Sequence, residues 1–114
     1  MTLDELADAI AGTSNEPAVQ RLSTLILDWK NDDTTVQDLR SRVERFIGNT
    51  WVNRDEDHKS IYAAWSNFAA SEISSIQGMT MNERLYAFCL VQRFDETSTS
   101  EHRSRLYVKL LAKP

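Results

Sequence analysis

The sequence predicts an all-α fold, a single compact bundle of five to six helices spanning residues 1–114. Three observations predict it. At five candidate helix starts Ser or Thr precedes Glu or Gln by three residues, the pattern of a reciprocal helix cap. The apolar residues that follow recur at intervals of three and four, the period of a helix face. Only 3 Gly and 2 Pro occur in 114 residues, too few for the tight turns of a β-sheet protein.

The caps are Thr2…Glu5, Thr13…Glu16, Thr34…Gln37, Thr80…Glu83 and Ser98…Glu101. The first helix is expected from about Thr2 to Ala11, with Leu3, Leu6, Ala7 and Ile10 on one stripe and Gly12 as its stop. A second is expected from about Ser14 to Lys30, with Pro17 in its first turn and Val19, Leu22, Leu25, Ile26 and Trp29 inward. After the polar run Asn31–Thr35, a third runs from about Thr35 to Ile47 through Val36, Leu39, Val43 and Phe46, and Gly48 ends it.

Residues 49–57 show no clear period and read as a loop that lays Trp51 against the core. A fourth helix, about Asp57 to Gln77, carries Ile61, Trp65, Phe68, Ala69, Ile73 and Ile76 and stops at Gly78. The fifth, Met81 to about Phe94, is apolar around most of its circumference, as a central helix is. Asp95–Ser100 is a loop. The last apolar segment, Leu106–Leu111, fits both a helix and a strand, but a lone strand has nothing to pair with, so a helix is expected.

Composition narrows function mainly by exclusion. The net charge of −4 argues against a nucleic-acid binder, because phosphate contact needs a basic surface. Residues 1–33 carry seven acids against two bases, whereas the segment after Glu101 carries four bases and no acid. That basic end reads as cations placed at a helix C-terminus, where they meet the negative end of the dipole. No apolar run approaches the roughly 18 residues of a membrane span, and the acidic N-terminus does not resemble a secretory signal. With one cysteine, Cys89, read as a small core residue, the expected compartment is a reducing cytoplasm.

No catalytic residue, cofactor or metal ligand is assigned. Asp55-Glu56-Asp57-His58 has the residue types of a metal site, but adjacent residues at a helix start diverge, and acids there complement the dipole. His58 and His102 lie in separate polar segments. With glycines only at 12, 48 and 78, no phosphate-binding glycine loop is possible. Arg40, Arg42 and Arg45 spread over more than one helix face, as on a solvated surface. Trp29 and Trp65 are expected in the core, and Trp51 is the aromatic placed for binding if any is partly exposed.

Glu72 lies at the edge of the fourth helix's apolar face, as a boundary acid paired with an arginine or as a buried acid. Arg84 is expected to reach an acid on a neighbouring helix. Glu72, Arg84 and Tyr86 together would line a polar notch at the end of the bundle. The run Asn82-Glu83-Arg84-Leu85-Tyr86, followed by Phe94-Asp95 and a leucine-rich end, resembles a pattern in small uncharacterised bacterial proteins. The resemblance covers about the last third of the chain; it implies a helical bacterial protein and brings no catalytic residue with it.

The functional expectation is a non-catalytic helical module that binds another protein, in its sharper form an acidic inhibitor of the immunity or antitoxin type. Asp28, Asp32, Asp33, Trp51, Asp55, Glu56 and Asp57 are the expected contact set, since acidic surfaces speed association with basic partners. The alternatives are a symmetric homodimer, and a small-molecule binder, metal binder or small enzyme built on the Glu72/Arg84 notch.

Overall fold

The computed structural model describes residues 1–113, and among them every regular element is helical. Seven α-helices follow in order: α1 (Leu3–Ala11), α2 (Pro17–Trp29), α3 (Val36–Asn49), α4 (Asp55–Phe68), α5 (Met81–Ala87), α6 (Val91–Asp95) and α7 (Ser100–Lys109). A π-helical turn, Ala69–Ile73, and a 3-10 turn, Ile76–Gly78, join α4 to α5. The last segment is a helix, as expected over the strand alternative.

Helix α1 packs mainly along α2 and also against α4, while α3 packs on α2. One continuous core runs from Leu3 in α1 to Leu110 just beyond α7. At its centre, aromatic rings form a chain. Trp29 meets Phe88 edge-on at 5.8 Å, Phe88 meets Phe68 edge-on at 5.7 Å, and Phe68 lies 6.0 Å from Trp65. Edge-on pairing places a ring's positive rim against its neighbour's negative face, adding about 0.5–1.5 kcal/mol per pair beyond the area buried.

Two of the expected caps form as read. Thr2 with Glu5 and Thr80 with Glu83 each exchange both bonds of the reciprocal cap. The other three differ, each for a local reason. At α2, Thr13 donates its hydroxyl to Ala9 O, and the Glu16 carboxylate accepts from Asn53 N, so α2 opens on Pro17 without a side-chain cap. At α3 the box is Thr35 with Asp38, because the Thr34 hydroxyl is committed to Asp32. At α7 it is Thr99 that caps, accepting from His102 N.

Other boundaries also move. Gly48 does not stop α3; the helix continues through it to Asn49 with ordinary backbone angles. Helix α4 starts at Asp55, so that Asp55, Glu56 and Asp57 all fall in its first turn, where the dipole favours them. The single long fourth helix is interrupted after Phe68 by the π turn. Phe68, Ala69, Ile73 and Ile76 face the core across this turn, as their spacing predicts.

The expected fifth helix is likewise two. Cys89 takes a left-handed conformation (φ 57°); Leu90 N donates to Leu85 O at 2.8 Å, and Cys89 N donates to Tyr86 O at 3.2 Å. These are the paired bonds of a Schellman stop, here made without glycine. Breaking the helix there buries both Phe88 and Leu90 and turns α6 outward. Cys89 itself is half-buried at the core's edge rather than inside it. Leu111 repeats the stop after α7, with φ 57° and Ala112 N donating to Tyr107 O at 2.8 Å.

Trp51 does not lie against the core. It is 81% exposed, and its neighbour Val52 packs inward instead. The Asn53–Glu16 bond pins this loop to the start of α2.

Candidate functional site

The expected site residues separate into three places, and the first is structural. Asp32 and Asp33 belong to the α2–α3 loop, which is clasped by cations from distant parts of the chain. Lys109, fully buried, brings its ammonium within 2.6 Å of Trp29 O, 2.7 Å of Asp32 O, and 3.0 Å of both Asp32 Oδ1 and Thr34 O. The same ammonium lies 3.9 Å from the centre of the Trp29 ring. Arg93 donates to Lys30 O at 2.6 Å, Asp32 O at 2.9 Å and Asp33 Oδ1 at 3.0 Å. Arg42 pairs with Asp32 Oδ2 at 3.0 Å.

Burial pushes the Asp32 carboxyl up. Bonds from the Thr34 hydroxyl and backbone, Lys109 and Arg42 outweigh it and hold the group well below the carboxylate range. Burial draws the Lys109 ammonium below the ordinary lysine value against the pull of Asp32. The acid dependence of stability follows from Asp32. Its folded-state pKa lies below the unfolded value of about 3.9, so the folded chain binds fewer protons. Its contribution is fully present above about pH 4 and is lost as pH falls toward the folded value. Asp32→Asn is therefore expected to lose less stability than the parent between about pH 5 and pH 2, measured by urea unfolding. Equal losses in the two proteins would mean that Asp32 is not the responsible group.

The second place lies where α3 meets α4. Trp51 stands out from the connecting loop, with Asp55, Glu56 and Asp57 next along the chain. Asp55 pairs with Lys59 and Glu56 with Arg54, each at 3.0 Å and in full view of solvent. Such exposed pairs contribute little to stability and are readily exchanged for a partner's charges. Beside them a cleft of about 360 Å³ is lined by Glu44, Ile47, Gly48, His58, Tyr62, Trp65 and Ser66. Asp28 belongs with the first place, exposed on α2 along a shallow depression that also includes Asp32, Arg42 and Phe46.

The third place is the notch, which brings together two of its three expected residues. Glu72 and Tyr86 line an opening of about 490 Å³ with Glu5, Met79, Asn82 and Glu83. Arg84 is not among them and, among the described residues, reaches no acid. It turns inward, donating from Nε to Met79 O at 3.1 Å and from a terminal nitrogen to Leu110 O at 3.0 Å. Glu72 is half-buried without a salt-bridge partner among the described residues, so the arginine pairing expected for it does not form. Accepting the Thr2 and Thr80 backbone N–H groups lowers the carboxyls of Glu5 and Glu83. Among the described residues, no group of three or more His, Cys, Asp or Glu is placed to hold a metal ion, in the notch or elsewhere. His58 lines the α3–α4 cleft, and His102 borders a separate polar depression with Arg93, Glu96 and Arg105.

Sequence reasoning missed Lys109 and Arg93. The signal for Lys109 was its position three residues after Leu106, on the buried stripe of its helix, rather than on the solvated face where a cation serves only the dipole. Arg93 carried no local signal, because the carbonyls it holds lie more than 60 residues away in the chain. The chain matches no protein-family model, no curated protein and no solved structure.

Proposed function

We propose that this chain is a non-catalytic protein-binding module whose contact face lies at the α3–α4 junction, anchored on Trp51. The observation that carries this reading is the indole itself, 81% exposed on a loop fixed to α2, while Trp29 and Trp65 are fully buried. A tryptophan held in water forgoes a few kcal/mol of burial, which a partner's apolar pocket would recover. Tryptophan is also among the residues that dominate interface energetics. Asp55, Glu56 and Asp57 form an acidic rim beside it, suited to a partner with a basic surface. Asp32 and Asp33, held inside the clasp, are not part of this face. An acidic cytoplasmic inhibitor of the immunity or antitoxin type is the sharper form of the proposal.

The test is affinity capture with the parent protein and with Trp51→Ala, at low and moderate salt. A stoichiometric basic partner is expected with the parent and is expected to be lost with Trp51→Ala. The melting temperature should hardly change, since exposed substitutions shift stability by about 0.5 kcal/mol or less. Retention of that partner by Trp51→Ala would contradict the proposal. A second reading places a cationic ligand in the Glu72 notch. It is favoured by three carboxylates, Glu5, Glu72 and Glu83, on an opening whose one lining cation, among the described residues, is the Met1 ammonium beside Glu5.

A further inference from the structure

We infer that the cleft between α3 and α4 is a pocket for the guanidinium of an arginine presented by the protein partner. The inference rests on the Trp51 interface and adds what enters beside the indole. The cleft and Trp51 are continuous in the chain: Ile47 and Gly48, in the last turn of α3, line it only a few residues before the tryptophan. Its volume, about 360 Å³, falls within the range of pockets that enclose a ligand group.

Four features select a planar cation. First, Glu44 is the one acid lining the cleft, and neither Lys nor Arg lines it. Glu44 Oε2 accepts from the Trp65 indole and from Arg40 Nε, each at 3.3 Å, which orients the carboxylate and leaves Oε1 without an internal donor. The Arg40 pair is half-exposed and spans one helical turn, a geometry worth about 0.3–0.5 kcal/mol, so an incoming guanidinium displaces it cheaply.

Second, the negative end of α3 opens here. Its last turn has no basic residue, and beyond the helix its carbonyls meet, among the described residues, only His58, with Nε2 3.4 Å from Ile47 O. Third, Tyr62, 57% exposed, lines the cleft, and a phenol ring is a surface on which a guanidinium stacks. Fourth, Gly48 leaves open space: a Cβ there would meet nothing within 4 Å. A guanidinium, flat and forked, can pair with a carboxylate while lying on a ring; an ammonium is compact and strongly hydrated.

The experiment is an NMR titration of the full chain with N-acetyl-arginine methylamide, with the lysine analogue as control. Saturable shifts are expected at Gly48, His58, Tyr62 and the Trp65 indole N–H, in the millimolar range, and weaker for the lysine probe. Glu44→Gln keeps an oxygen for the indole and is expected to abolish the response, as is Tyr62→Ala, whereas Glu72→Gln in the notch should leave it intact. The amide spectra of the variants report directly whether each is folded. No saturable shift at the cleft, or a response indifferent to Glu44→Gln, would overturn the pocket. The probe needs no partner. A silent cleft alongside loss of capture by Trp51→Ala overturns the pocket and leaves the interface standing. A responsive cleft with the partner retained by Trp51→Ala overturns the interface instead.

Discussion

Lys109→Ala is expected to cost about 2–4 kcal/mol of stability, from the buried stem and the carbonyl donors lost together, while Asp32, partly exposed, keeps Arg42 and Thr34. The side chain is wholly inaccessible, and its ammonium is shared among three backbone carbonyls and the Asp32 carboxylate. Removing it leaves Thr34 O without a donor among the described residues, at about 1–3 kcal/mol where water cannot reach it, while Asp32 O keeps Arg93 and Trp29 O keeps the Asp32 backbone N–H. Lys109→Met separates this loss from simple packing, because it keeps most of the stem against the Trp29 ring while removing the charge. We expect Met to recover less than half of the alanine deficit in urea unfolding. Near-complete recovery by Met would show that the stem, rather than the hydrogen bonds, holds the clasp. The effect should also couple to Asp32. The double variant Lys109→Met, Asp32→Asn is expected to be less destabilised than the sum of its singles, since residues sharing one network are not additive.

Arg84→Met is expected to cost about 2–4 kcal/mol, from two carbonyls left without a donor. Arg84 is 6% exposed and bonds to Met79 O before α5 and Leu110 O after α7, tying the first turn of α5 to the end of the chain. The left-handed turn at Leu111 ends α7 at this point and brings Leu110 O within reach of the guanidinium. A lysine cannot donate in both directions with the same planar geometry, so Arg84→Lys is expected to recover only part of the loss. Loss of amide-exchange protection at the end of α7 would accompany the drop in the urea midpoint. A variant as stable as the parent would contradict the role assigned to the arginine.

The parts of the fold legible in sequence are those set by neighbours a turn away. Leu3, Leu6, Ala7 and Ile10 declare α1 by spacing, and Thr2 with Glu5 declares its start. The same holds for α5 and its Thr80–Glu83 cap. Where a residue outside the motif claims a side chain, local reading shifts. Thr34 has the form of a cap, but Asp32 claims its hydroxyl and Lys109 its carbonyl, so Thr35 caps α3. The break at Cys89 was hidden because a left-handed stop usually announces itself with glycine. Arg84 could not be placed because its acceptors are carbonyls, which every residue carries. The exposure of Trp51 was not legible: the irregular stretch around it reads as a loop that lays the indole on the core, a place that Val52 takes instead. Nor was the cleft beside it, because it forms only when the last turn of α3 meets α4.

Calorimetric titration of the captured partner into the parent, Trp51→Ala and Glu72→Gln locates the contact face. If the α3–α4 face is the contact, Trp51→Ala weakens binding by at least about 30-fold, equivalent to about 2 kcal/mol, and Glu72→Gln leaves it unchanged. The reverse pattern, with full affinity in Trp51→Ala and weak binding in Glu72→Gln, would contradict the claim and place the contact in the notch.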